Sequence, residues 1–553
     1  MEVWVVVIGI IVIMAFILTL MDLFFKYKLR MHIRKCWGKI PQQTRFDKEE
    51  SLKAAWQIEK QFHGWESEID DLTWYDLDMQ AIFELINGTY SSIGSEALYQ
   101  RLRNYNFYQS GDLEELIHFY QDNPETREKI QFHFASLGKQ DNNFTKQYIA
   151  NGKKEKLGNL WLYVLLGMLP LISIIVLVTI SPVGIFLLLG SIMFNVIFYM
   201  INKNRLETEL ECMRYLVQSI SLANKLSTIV TPMQDEIVKN VAPLRGIAKW
   251  GFSFRIKSNS EADIVFEYLN LALMIPFISY NFVLTRLSNY SQEAINLWKL
   301  LGELEVSAAI LNFRTYFPST CQPEYAQGGI QAEDIYHPLV DYPVVNPVDW
   351  QKNTLVTGSN ASGKSTYVKS IAISAILAQT INTAIARQFT MQPGHVLTSM
   401  AVEDDVLAGD SYFVAEIKSI KRLLDQVEKG KRCYCFIDEI LKGTNTIERI
   451  AASSSVVKWL NEYSSLSFVA THDIELTEML KQYCENVHFE ETIEEGKGIT
   501  FDYILKQGPA VTRNALALLE VMDHPKKIVD LARAEARYFD EQRTWQVSDR
   551  NER

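Results

Sequence analysis

The chain has 553 residues, of which 48% are hydrophobic and 22% charged, and its formal net charge is −11. A chain of this length holds several domains, since about 100–200 residues per domain is usual. The acidic balance gives no overall basic surface for nucleic acid, so any such contact would need a local basic patch. The six cysteines form no paired Cys/His spacing, which favours free thiols in a reducing compartment over a metal site.

The chain begins with an apolar run, Val3–Phe25, that is interrupted only by Thr19 and Asp22. The run is long enough to cross about 30 Å of hydrocarbon. It lacks a basic start and a small-residue cleavage site, so we predict an uncleaved anchor rather than a signal peptide. The basic flank places the N-terminus outside and residue 26 onward in the cytoplasm. The flanking basic residues are Lys26, Lys28, Arg30, Arg34, Lys35 and Lys39.

Two further apolar runs, Leu160–Ile180 and Val183–Ile201, are separated only by Ser181-Pro182. Each has near-bilayer length without a charge, so we predict a transmembrane hairpin over residues 160–201 rather than a buried soluble hairpin. Basic residues on both sides place both flanks in the cytoplasm. Asn195 is the only strongly polar side chain in the hairpin, and we expect it to pack between helices. The prediction is therefore three transmembrane helices.

Residues 40–156 and 203–320 show apolar residues at helical intervals, which predicts an all-α domain on either side of the hairpin. A linker containing proline and glycine, Pro318–Gly329, ends this helical part. Beyond it, short strands alternate with helices, as in a parallel α/β sheet. We expect an α/β domain over residues 330–540 and a polar tail over residues 541–553.

The α/β domain contains the pattern G-x-x-x-x-G-K-[ST] at Gly358–Ser365, after a strand (Thr354–Thr357) and before a helical stretch (Thr366–Ala386). Glycines let backbone N–H groups turn inward around a polyphosphate, and the helix N-terminus adds positive dipole. Lys364 would reach the β- and γ-phosphates, and Ser365 would ligate Mg²⁺. The sequence therefore predicts a P-loop NTPase that binds ATP and Mg²⁺. The residues predicted to bind the nucleotide are Gly358, Ser359, Asn360, Ala361, Ser362, Gly363, Lys364, Ser365 and Thr366.

Two more strands deliver polar residues to the same predicted edge of the sheet. Cys433–Ile437 ends in Asp438-Glu439, and Leu466–Ala470 is followed two residues later by His472. An α/β sheet places its site at the carboxyl ends of its strands. Asp438 would hold Mg²⁺, Glu439 would act as general base on the attacking water, and His472 would contact the γ-phosphate side.

Taken together, these motifs resemble the ATPase domain of the MutS family. The loop matches that family's loop, with Ser359, Ala361 and Ser362 in place of its usual Pro, Met and Gly. The segments Asp438–Thr446 and Ala470–Thr477 are similar to its acidic strand and its histidine segment.

The segment Asp404–Glu416 looks like the one with which that family reaches the partner subunit's nucleotide. The resemblance implies that Ser411 touches the other chain's γ-phosphate. The family's usual arginine is Asp410 in this chain.

Further upstream, residues 72–102 are similar to the opening of the MutS lever (core) domain, and Gly302–Pro318 resembles its closing helix. The hairpin would interrupt this domain. A membrane span stands where a mismatch-reading domain would be expected, so we expect a membrane-anchored member without that domain. The resemblance implies a homodimer that encloses two ATP molecules and has mismatched or branched DNA as its ligand.

Two functions follow as hypotheses for a multi-pass protein of the cell membrane. In the first, ATP hydrolysis moves the levers against the membrane hairpins, with DNA as the implied ligand. The alternative is a membrane signalling or remodelling ATPase that acts on unidentified protein partners without nucleic acid. An ATP-driven transporter is disfavoured, because the predicted spans carry no charged pathway beyond Asp22.

Overall fold

The structure is a computed structural model. It describes residues 2–42, 47–62, 64–107, 111–151, 160–249, 270–317, 319–359, 362–400, 412–494, 498–510, 516, 519–520 and 524–545. Within these ranges, the side chains of residues 2–15, 18, 111–112, 151, 203–208, 412, 492–494 and 498–499 lie outside the description.

The described chain divides into two compact units. The helical unit comprises Met1–Trp65, Phe83–Arg101 and Ser110–Phe317. The α/β unit comprises Glu66–Ile82, Leu102–Gln109 and Pro318–Arg553. The helices are α1 (Glu2–Cys36), α2 (Glu49–Phe62), α3 (Asp71–Asp76), α4 (Met79–Ile86), α5 (Ser92–Arg103), α6 (Gly111–Asp122), α7 (Pro124–Leu137), α8 (Thr145–Asn151), α9 (Leu160–Thr179), α10 (Gly184–Leu226), α11 (Gln234–Val241), α12 (Arg245–Ala248), α13 (Ile275–Asn289), α14 (Ser291–Tyr316), α15 (Lys364–Ile381), α16 (Tyr412–Val427), α17 (Thr446–Leu460), α18 (Ile474–Met479) and α19 (Lys526–Gln542).

The helical unit is built around α14, whose residues from Ala294 to Phe313 are almost all buried. Glu305 in the middle of this helix is buried, and its carboxylate accepts from the backbone N–H groups of Tyr90 and Ser91 at 2.6 and 3.0 Å. These bonds hold the two residues that lead into α5. A buried carboxylate thus fixes the crossing of α5 and α14.

Two described helices are long and apolar enough to cross a membrane, Leu160–Thr179 (α9) and the Gly184–Asn202 part of α10. They form a hairpin, as the sequence predicts. The third predicted span, Val3–Phe25, is not one of them, so the described residues include two candidate spans rather than the three predicted. That stretch lies within α1, which continues without a break through basic residues to Cys36.

The α/β unit is built on a six-stranded sheet in the order β14-β11-β6-β10-β9-β8. The strands from β11 to β8 are parallel, and β14 is antiparallel to β11. The strands are β1 (Ser67–Glu68), β2 (Asn104–Tyr105), β3 (Glu324–Tyr325), β4 (Ile330–Ile335), β5 (Asn346–Trp350), β6 (Thr354–Thr357), β7 (Gln388–Met391), β8 (His395–Ser399), β9 (Cys433–Asp438), β10 (Ser465–Ala470), β11 (Glu485–His488), β12 (Glu491–Glu494), β13 (Gly498–Phe501) and β14 (Lys506–Gln507).

A second sheet, in the order β3-β7-β4-β5, packs on the first through Trp350. The Trp350 ring lies 5.4 Å from that of Tyr434 and 5.1 Å from those of Phe436 and Phe468. These rings fill the core under β9 and β10, because successive side chains of a strand alternate between its two faces. The core thereby supports the strands whose carboxyl ends carry the candidate site.

The edge strand β8 is covered by residues that come from far upstream in the chain. Asp76 at the end of α3 accepts from Thr398 Oγ1 at 2.6 Å and from the backbone N–H of Met400 at 3.0 Å. Tyr105 donates to the backbone oxygen of Gly394 at 3.0 Å. Helical periodicity in residues 40–156 did not reveal that Glu66–Ile82 and Leu102–Gln109 belong to the α/β unit.

Candidate functional site

The loop Gly358–Ser365 leaves β6 and enters α15 with two glycines in conformations that strongly favour glycine. Gly358 has φ 142°, and a Cβ there would lie 2.5 Å from the backbone oxygen of Phe489. Gly363 has φ 101°, and a Cβ there would lie 3.1 Å from the Tyr503 ring. Positive φ and crowding together explain why the sequence has glycine at both positions.

The lysine and the serine that end the loop both turn towards polar partners. Lys364 Nζ donates to the backbone oxygens of Gly358 and Ser359 at 2.7 and 2.8 Å. Burial lowers the pKa of Lys364, and the nearby carboxylate of Asp438 opposes that shift. Ser365 Oγ donates to Asp438 Oδ2 at 2.9 Å, which brings together two residues that the sequence separates.

The acid after β9 is held in an unusual backbone conformation. Glu439 has φ 57°, and its N–H donates to the backbone oxygen of Ala470 at 2.9 Å. Its carboxylate lies 3.3 Å from His472 Nε2 and 3.3 Å from Lys442 Nζ. Burial, followed by the positive charge of Lys364, lowers the pKa of His472, so the ring is neutral near pH 7. A left-handed non-glycine residue is costly and often marks a functional position.

These side chains open onto one cleft of about 600 Å³. The residues that line it include Lys364, Asp438, Glu439, His472 and His337. Burial lowers the pKa of His337 to about 4, which leaves its ring neutral. The volume falls within the range of small-molecule sites.

The polar groups of the cleft fit a polyphosphate accompanied by a hard cation. Ser362 Oγ, within the loop, is buried and has no hydrogen-bond partner in the described part of the chain. The hydroxyl of Ser365 and the carboxylate of Asp438 are oxygen donors of the kind that Mg²⁺ prefers. Lys364 supplies the positive charge that phosphate oxygens require.

The structure places most of the residues predicted for the site. Thr366 lines the cleft together with Ser359 and Gly363. Asn360, Ala361 and Ser411 lie outside the described residues.

Two carboxylates at the site were not predicted to act there. Glu491 accepts from Ser359 Oγ at 2.8 Å and so ties the loop to β12. Glu416 accepts from the backbone N–H groups of Lys442 and Gly443 at 2.7 and 3.2 Å, which caps the loop after the acidic strand. Glu416 stands in a segment that the resemblance singled out, whereas nothing near Glu491 in the sequence marks it.

The fold and the cleft define an α/β protein whose site lies at the carboxyl ends of parallel strands, beside a glycine-rich loop. Residues 354–540 match the family model described as MutS domain V. Over these residues the chain is similar to the MutS family.

Three curated relatives, each described as DNA mismatch repair protein MutS, are similar to part of this chain. The protein from Natronomonas pharaonis is 28% identical over 246 residues, which is 42% of this chain and 28% of that protein. The protein from Listeria welshimeri is 26% identical over 276 residues, 47% of this chain and 32% of that protein. The protein from Listeria monocytogenes is 27% identical over 259 residues, 44% of this chain and 30% of that protein. The chain thus spans about a third of the length of these relatives.

Proposed function

We propose that the protein is a membrane-anchored ATP hydrolase of the MutS type. The observation that carries this proposal is the convergence of Lys364, Ser365, Asp438, Glu439 and His472 on one cleft beside the glycine-rich loop. Each of these residue types has a distinct task in phosphoryl transfer, which relies mainly on positioning and on stabilising charge.

Lys364 leaves the loop carbonyls and binds the β- and γ-phosphate oxygens when ATP enters. Glu439 takes the proton of the attacking water, since its carboxylate is held in place by Lys442 and His472. The neutral His472 ring donates or accepts a hydrogen bond beside the γ-phosphate and orients that water. Ser359 and Ser362 line the phosphate path with hydroxyl groups.

Ser365 and Asp438 are the residues that would hold Mg²⁺. Bound there, the cation would neutralise phosphate charge and polarise the phosphoryl group.

The helical and membrane parts suggest what hydrolysis drives. By family resemblance, two subunits enclose two ATP molecules, with Ser411 reaching the partner's nucleotide, and hydrolysis moves the helical levers. The hairpin then transfers this movement to the membrane.

Membrane anchoring is supported by exposure as well as by composition. The apolar windows of α9 and α10 are only 28% and 17% buried within the chain. A core helix of a soluble protein would be mostly covered, and a signal sequence would stand at the N-terminus. Exposed apolar patches of this extent mark membrane or protein contacts. The protein should therefore float with liposomes and resist alkaline carbonate extraction; release by carbonate would count against anchoring.

DNA is the ligand that the relatives' name, DNA mismatch repair protein MutS, suggests. The net charge of −11 favours the second candidate, a membrane ATPase that acts on protein partners without nucleic acid.

One experiment separates the two candidates. Phosphate release by the detergent-purified chain is measured with homoduplex, mismatched and branched DNA at low and moderate salt. Stimulation that fades with salt would support DNA as ligand, because phosphate contacts release counterions. Unchanged turnover and no retention on any of these DNAs would support the second candidate. An Asp438→Asn variant gives the background rate of phosphate release. If the unchanged chain releases phosphate no faster than this variant under any condition, the proposed ATP hydrolysis is wrong.

A further inference from the structure

The chain segment just before α13 packs against both helices of the hairpin. Residues 270–272 are helical, residues 273–274 form a turn beside α9 and α10, and Met274 has φ 56°. Asn195 of α10 donates to the backbone oxygen of Ala272 at 2.7 Å. Gly167 of α9 lets this turn approach closely, since a Cβ there would lie 2.3 Å from the backbone oxygen of Leu273.

The partners of this turn set its depth. At 1.5 Å per residue, Gly167 and Asn195 each lie about 10 Å inside the cytoplasmic ends of the spans Leu160–Thr179 and Gly184–Asn202. The turn contacts both of them. It therefore sits at a level where α9 and α10 are surrounded by hydrocarbon if they span the bilayer.

The helix that follows leads back out towards the cytoplasm in regular steps. Phe277 packs against Tyr163 and Tyr199, with ring centroids 5.1 and 4.9 Å away, and these tyrosines lie about 5 Å inside the ends of their spans. One turn further on, Tyr280 pairs with Tyr148 of α8 at 2.8 Å between hydroxyl oxygens. Tyr148 precedes the apolar hairpin in the chain. From the turn to Tyr280, successive contacts therefore lie closer to the cytoplasmic ends of the two spans.

The chemistry of the turn suits a bilayer. Non-helical backbone is tolerated at membrane depth only where protein covers it and its polar groups are satisfied. Ala272 and Met274 are buried, and Asn195 satisfies the Ala272 oxygen. The partly exposed side chains of residues 270–278 are all aliphatic. They are Leu271, Leu273, Ile275 and Ile278.

We propose that residues 270–278 form a re-entrant element that enters the cytoplasmic leaflet beside the hairpin, so that its aliphatic face binds the acyl chains of the lipid bilayer. This inference rests on the proposed membrane insertion of α9 and α10. It adds a membrane contact within a region that the sequence assigned to the cytoplasmic lever domain.

Spin labels on the reconstituted full chain test this directly. Cys36 and Cys321 are replaced by serine, while the other four cysteines are buried and react slowly. Single labels are placed at Leu271→Cys, Leu273→Cys and Ile278→Cys. References are Ile172→Cys on the exposed face of α9 and Ser288→Cys at the exposed end of α13. Collision rates are measured with oxygen, which concentrates in hydrocarbon, and with a water-soluble nickel chelate.

The proposal expects the oxygen-to-nickel collision ratio at the three test positions to exceed that at Ser288 several-fold and to approach that at Ile172. A ratio equal to that at Ser288, with Ile172 still favouring oxygen, would overturn the re-entrant element alone. If Ile172 also favours nickel, the hairpin itself is not inserted and the membrane part of the proposed function fails. Three independent positions keep the test decisive should one label disturb the contact with Gly167.

Discussion

Asn195 donates from Nδ2 to the backbone oxygen of Leu166 at 2.8 Å, and this is the carbonyl that Pro170 leaves without a helical donor. A proline inside a helix removes the hydrogen bond to the fourth residue before it. In an apolar environment that carbonyl would otherwise stay unsatisfied. Asn195, the one strongly polar side chain of the hairpin, therefore supplies the hydrogen bond that Pro170 removes from α9.

This pairing predicts a dependence between two substitutions. Asn195→Leu should lower hairpin stability by about 1–2 kcal/mol, because it leaves the Leu166 oxygen without a donor. In a Pro170→Ala background, residue 170 regains its N–H, so the same change should cost less. Unfolding in mixed micelles measures both. Equal costs in the two backgrounds would show that the Leu166 contact contributes nothing, leaving only the bond to Ala272.

Chemistry at the cleft is tested by changing the proposed base and the proposed phosphate ligand separately. Glu439→Gln should lower turnover at least about 100-fold while ATP stays bound, because general-base catalysis is lost. Lys364→Ala should instead weaken ATP binding. Single-turnover phosphate release and nucleotide binding distinguish the two. Glu462→Gln, at an exposed carboxylate, serves as the control. Wild-type turnover in Glu439→Gln would remove Glu439 from the role of base.

The two glycines Gly363 and Gly430 form a matched pair for the loop. Both have positive φ, 101° and 78°, but a Cβ at Gly363 meets the Tyr503 ring, whereas one at Gly430 meets nothing within 4 Å. Alanine at either position carries a backbone cost of about 1 kcal/mol. Only Gly363→Ala should also weaken ATP binding, by about tenfold or more. Equal ATP affinity in the two variants would mean that the loop conformation does not govern binding.

The buried His395 predicts acid sensitivity of the α/β unit. Burial, with a further contribution from Lys431, lowers the pKa of His395 to about 4, below its unfolded value of about 6.5. Below pH 6.5 the unfolded chain binds a proton that the folded chain does not, so stability falls as the pH drops from 6.5 towards 4. The full effect is at most about 3 kcal/mol.

His395→Gln should therefore shrink the shift in the urea unfolding midpoint between pH 7 and pH 5. The exposed His118→Gln should leave that shift unchanged. An undiminished shift in His395→Gln would assign the acid sensitivity to other groups.

The sequence could predict features that depend on residues close together in the chain, but not features that depend on contacts between distant residues. The loop Gly358–Ser365 is local, and its pattern predicted both the bend and the position of Lys364. Asp438 and His472 were predicted to lie at the same edge because parallel strands bring their carboxyl ends together. Glu491 could not be found, because its contact with Ser359 joins residues 132 apart and carries no local signal.

The same limit explains why the sequence could not assign all residues of the N-terminal half to the correct unit. Helical periodicity shows that one face of a segment is buried but not what buries it. The sequence therefore predicted helices in residues 40–156 and could not assign Asp76 to the edge of the β-sheet. The hairpin was predictable, since uninterrupted apolar length is a local property. The hydrogen bond from Asn195 to the Leu166 oxygen was not predictable, because it joins two separate helices.

The bond between Asp76 and Thr398 joins residues 322 apart, so the ribosome makes α3 well before β8. At about 5–20 residues per second, a ribosome needs roughly 15–60 s to make the chain between them. The hairpin is translated within that interval. Under the proposed membrane insertion, the hairpin enters the bilayer before β8 has been made. When β8 emerges, the α3 residues that cover its open edge already exist.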